Sequence, residues 1–75
     1  MNMMQYFRFF QDLWRLFREF GNPVAADEYW IRLISTANQL AEKYGETDFA
    51  CRMVCTVVEE IDRIYREKAN ANNRM

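Results

Sequence analysis

Glycine and proline together fill only three of the 75 positions: Gly21, Pro23 and Gly45. These residue types are the strongest local punctuators of structure, so a chain this poor in them has few places to turn. The three fall in two clusters and cut the chain into three long periodic segments. Gly21 stands where a helix C′ residue belongs, and Asn22 followed by Pro23 reads as the N-cap and first position of the next helix. Gly45 closes the second segment after Lys43, and Thr47 or Asp48 can cap the third. The punctuation predicts helices over roughly 3–20, 23–44 and 48–68. They form one helical domain, residues 1–68, with a frayed polar tail at 69–75.

Apolar periodicity supports each helix. Placed at 100° steps, Gln5, Arg8, Gln11, Asp12, Arg15, Arg18 and Glu19 of the first segment share one arc of roughly 140°. Ten apolar residues from Met3 to Phe20 fill the opposite arc of roughly 180°, and only Met4 strays. The second segment gathers Tyr29, Trp30, Leu33, Ile34, Ala37, Leu40, Ala41 and Tyr44. Ile31 breaks that pattern, lying among Asp27, Glu28, Ser35 and Asn38. The third gathers Ala50, Val54, Val57, Val58, Ile61 and Tyr65, with Phe49 and Cys55 at its edges. On the polar faces Arg8–Asp12, Arg15–Glu19, Glu59–Arg63 and Asp62–Arg66 have i,i+4 spacing for ion pairs. Short connections favour antiparallel neighbours, so the expected fold is all-α, an up-down-up three-helix bundle.

The first helix carries more apolar surface than such a bundle consumes. Each helix needs a stripe a little over 100° wide, and the first has nearly twice that, with seven aromatic residues between Tyr6 and Phe20. Three rings left outside the core would expose roughly 450–750 Å², more than a soluble monomer usually shows in one patch. Phe7, Phe10 and Trp14, at the outer edge of this face, are the candidate partner-binding residues, and Ile31 is an independent one. A homodimer through the first helix is the simplest cover. An interfacial membrane helix is the alternative, although Asp12 and Glu19 dilute its positive face.

Composition excludes several chemistries. With no histidine and with Ser35 as the only serine, the chain has no nucleophile–base pair. Neither glycine belongs to a phosphate loop. Ten Lys and Arg against eleven Asp and Glu leave no basic excess for nucleic acid. Cys51 and Cys55 lie one helical turn apart and read as buried small hydrophobes at the helix edge. Zinc would need two protomers giving two thiolates each, which makes a zinc- or thiol-linked dimer a further alternative. No apolar run approaches the ~20 residues that span a bilayer, and two unstapled cysteines suit a reducing cytoplasm. The expectation is a non-enzymatic chain without cofactor, acting on a protein partner or on itself.

The span 27–67 has a recognisable layout. Asp27, Tyr29 and Trp30 start a helix, Lys43-Tyr44-Gly45 ends it, and Phe49 opens an aliphatic helix with a charged end. In this it resembles small uncharacterised helical proteins encoded by bacterial prophages and mobile elements. The resemblance implies a small accessory or inhibitory protein, such as one that blocks a host defence nuclease, and implies no activity at particular residues.

Overall fold

A computed structural model describes residues 1–73, with three α-helices: α1 (Met3–Glu19), α2 (Asp27–Lys43) and α3 (Asp48–Asn73). Each start has a local cause. Asn2 and Gln5 form a reciprocal capping box, with both backbone-to-side-chain hydrogen bonds at 2.9 Å. Thr47 Oγ1 accepts from the Ala50 backbone N–H at 3.2 Å and caps α3. No side chain caps α2, but Asp27 and Glu28 place negative charge in its first turn, where the helix dipole favours it.

The turn at Gly45 is built as the sequence predicts. Gly45 has φ 76°, its N–H donates to the Glu42 carbonyl, and the Glu46 N–H donates to the Ala41 carbonyl. This is a Schellman ending, which satisfies two orphan carbonyls. The first connection differs from expectation. α2 opens at Asp27 rather than at residue 23, and Asn22 caps nothing; its Oδ1 accepts from Lys68 Nζ at 3.2 Å. Pro23 is buried, so its ring fills the end of the bundle instead of opening a helix. Gly21 has no left-handed φ; it is needed because a Cβ there would lie 2.9 Å from the Phe17 carbonyl oxygen. The Tyr29 hydroxyl donates to the Phe20 carbonyl and ties the start of α2 to the end of α1.

α3 also outruns its expected end at 68, since no breaker follows and Ala69 and Ala71 are strong helix formers. The expected frayed tail is thus helical through Asn73, and its last two positions lie outside the described residues.

Ring contacts fix the directions. Phe9 of α1 meets Tyr44 at 5.0 Å and Phe20 meets Tyr29 at 5.4 Å, so α1 and α2 are antiparallel. Trp30 meets Tyr65 at 5.4 Å, near the start of α2 and late in α3, so these two are antiparallel as well. Tyr6 against Phe49 at one end and Asn22 against Lys68 at the other make α3 parallel to α1. The core is Phe9, Leu13, Leu16 and Phe20 of the first segment, Leu33, Ala37 and Leu40 of α2, and Ala50, Val54 and Ile61 of α3. Ala37 and Ala50 are the small residues that let the helices approach. Among the described residues no polar side chain is fully buried.

Candidate interaction surface

The buried residues of α1 and its C-cap recur at 9, 13, 16 and 20, a 4-3-4 spacing that holds one face to the core. One step around the helix runs a second apolar line, Met3, Phe7, Phe10, Trp14 and Phe17, spaced 4-3-4-3. Its first four members are 83%, 60%, 48% and 60% exposed, and Phe17 is half-buried. The rings are held in place: Trp14 stacks on Phe17 at 6.5 Å and 17°, and Phe10 lies 6.0 Å from Phe9 and 6.1 Å from Phe49. Phe49, 37% exposed, extends the apolar surface onto α3. At about 200 Å² per ring, Phe7, Phe10, Trp14 and Phe49 together leave about 400 Å² in solvent. Partial packing makes this less than three fully exposed rings would give, yet it falls where patches are commonly functional.

The two edges of this line differ in charge. On the edge away from α3 lie Arg18, Gln11 and Arg15. Arg15 reaches Asp12 only at 3.9 Å, and among the described residues neither Arg8 nor Arg18 joins an ion pair. On the α3 side lies an acidic cluster: Arg63 bonds Glu60 through Nε at 2.9 Å and Glu67 through Nη1 at 2.7 Å. Two carboxylates share one guanidinium there. The Arg63 hydrogen bond holds the Glu60 carboxyl below its usual range, and the same contacts push Arg63 upward.

Asp12 departs from its expected pairing with Arg8. It turns toward α2, accepting from the Tyr44 hydroxyl at 2.6 Å and from Lys43 Nζ at 3.0 Å. Burial pushes the Asp12 carboxyl up, and these hydrogen bonds with the Lys43 and Arg15 charges outweigh it, so its pKa is lowered. Burial first, and the Asp12 carboxylate second, push Tyr44 up to about 12. Glu19 pairs with Arg32 at 3.0 Å rather than with Arg15, and Arg63 takes Glu60 and Glu67 rather than Glu59. Asp62–Arg66 forms as expected.

The chain matches no protein-family model, no curated protein and no solved structure.

A second apolar surface lies on α2. Ile31 is 68% exposed, apart from Phe7, Phe10 and Trp14, and Ile34 beside it is 48% exposed. Ile34 was expected in the core; it sits at the margin of the α2 arc, and Leu33 and Ala37 take the inward positions. Across the α2–α3 groove from Ile34 stands Cys55. Cys55 is exposed and Cys51 half-buried, which corrects the reading of both as buried: position 55 lies beyond the line of Val54 and Val58 that faces α2. Among the described residues no group of three or more potential ligands could hold a metal ion, and no helix is long and apolar enough to cross a membrane. Sequence periodicity reached the excess on α1 but missed Phe49 as its extension; the signal available was the place of Phe49 at the edge of the apolar arc of α3.

Proposed function

We propose that this chain is a non-catalytic protein-interaction module that pairs with a second copy through α1 and docks on a larger protein to modulate it. The single observation that carries this reading is the line Met3, Phe7, Phe10 and Trp14, apolar, held by ring contacts and open to solvent. Such a line is unfavourable in water unless something covers it. Aromatic residues, Met and Arg are the types enriched at protein interfaces, and this face is made of them. The lack of histidine and of a phosphate loop supports a role without catalysis. The modulator part, with a host protein such as a defence nuclease as target, carries forward the expectation drawn from the layout of residues 27–67.

Light scattering of the full chain tests the pairing. The expected result is a dimer mass that Phe7→Ser with Trp14→Ser converts to a monomer of unchanged helicity. A wild-type monomer that floats with anionic vesicles would instead make α1 a membrane-surface helix. Ile31→Asp tests the second surface. With Ile31 68% exposed, the stability of the variant should stay within about 0.5 kcal/mol of wild type, while capture of a host protein is lost. A steep fall in melting temperature would place Ile31 in the core.

A further inference from the structure

We infer that the second copy lies parallel to the first, α1 beside α1 with both N-termini at one end, and that Arg18 of each copy reaches the Glu60–Arg63–Glu67 cluster of the other; this rests on the reading that α1 pairs two copies. Three features carry it. First, a 4-3-4-3 apolar spacing is that of a two-helix seam in either direction, and in a parallel pair each position meets its own counterpart. Phe7 then faces Phe7 and Trp14 faces Trp14 across the two-fold axis.

Second, charge selects the direction. A two-fold axis along α1 lays the arginine edge of one copy over α3 of the other. Because α3 runs parallel to α1, with Tyr6 level with Phe49 and Asn22 level with Lys68, Arg18 comes level with residues in the low sixties. There the cluster carries two carboxylates against one guanidinium, and the Glu60 and Glu67 side chains are accessible. An axis across α1 gives the antiparallel pair. It lays the arginine edge over the same edge of the partner and brings Arg18 to the N-terminal end of the facing α1, which is the positive end of its dipole. Like charge at an interface suppresses that arrangement.

Third, the exposed rings form the centre of an interface that neighbouring side chains can complete. A stable pair buries about 800 Å² on each side. The rings supply about half of that, and Met3 with the stems of Arg18 and Gln11 lies beside them.

Disulfide trapping decides the direction. On a background with Cys51→Ser and Cys55→Ser, Met3→Cys should oxidise to a covalent homodimer. Mixed with Arg18→Cys, it should still link to itself rather than to that protein. A dominant link between Met3→Cys and Arg18→Cys would make the pair antiparallel and overturn the inference, leaving pairing through α1 intact. A wild-type chain that stays monomeric at every concentration would overturn the pairing itself. Independently of these cysteines, Arg18→Glu should weaken the dimer about fivefold. Adding Glu60→Arg and Glu67→Arg should restore it. No rescue by the swapped charges would remove the Arg18 contact.

Discussion

At the level of single residues, Asp12 accepts two hydrogen bonds from outside its own helix. It sits on α1 and is hydrogen-bonded by Tyr44 and Lys43 of the α2 end, so it clamps two helices at the Schellman turn. Its folded pKa lies below the ordinary 3.8. A lowered carboxylate pKa means stability that is fully present above the unfolded value and lost as pH falls through the folded one. Tyr44 has the opposite sign: its pKa is raised from 10.0 to about 12, so its share is present below 10.0 and lost as pH rises toward about 12. Asp12→Asn should therefore cost about 1 kcal/mol at neutral pH. Its melting temperature should converge on that of the wild type below about pH 4, and thermal melts by circular dichroism across pH check this. Two residues along, Glu46 holds φ 53°, a left-handed conformation unfavourable for a side chain with a Cβ. Glu46→Gly should stabilise by about 1 kcal/mol, read as a rise of about 4–8 °C in the melting temperature.

At the level of elements, α1 carries two adjacent apolar faces with different roles, and they can be separated by mutation. Phe9 is fully buried and touches rings of both other helices, whereas Phe7, two positions earlier, is 60% exposed. Phe9→Ala should cost about 3–5 kcal/mol and bring the domain close to unfolding. Phe7→Ser should change monomer stability by less than about 0.5 kcal/mol; chemical denaturation of both variants checks the contrast. Much of this was legible beforehand. Near-complete segregation on α1 made its helix readable, and Gly45 after Lys43 made the second turn readable. The α1–α2 connection was not, because Asn-Pro after Gly fits a helix start by local rules. Only the packed bundle decides that Pro23 is worth more as a buried ring. The two pairs expected on α1, Arg8–Asp12 and Arg15–Glu19, were misread for a similar reason. An i,i+4 rule sees one helix, and Asp12 and Glu19 found partners on another. Phe7, Phe10, Trp14 and Ile31 were placed outside correctly because exposure follows from the helical period. What covers them depends on a second surface that periodicity does not contain.

For the whole molecule, stability and association are linked. Among the described residues the core comprises ten buried side chains and includes no buried charge or polar network. A domain of this size buries only about 60% of its unfolded surface and stands near the lower end of folding stability. Covering the α1 rings would then add a large fraction to a small total. Because a dimer of folded chains is favoured by mass action, its melting temperature rises with protein concentration, whereas that of a monomer does not. The wild-type chain should melt several degrees higher at a hundredfold greater concentration, about 2.7 kcal/mol of linkage for a site saturated that far above its dissociation constant. Trp14→Ser should melt at one temperature throughout, since its lost ring lies within the seam and takes no part in the core. Added salt should lower the wild-type value by screening the Arg18 contact while leaving the ring contacts in place. A wild-type melt independent of concentration, together with a Trp14→Ser melt at the same temperature, would mean that the α1 rings stay in water and that the chain works alone.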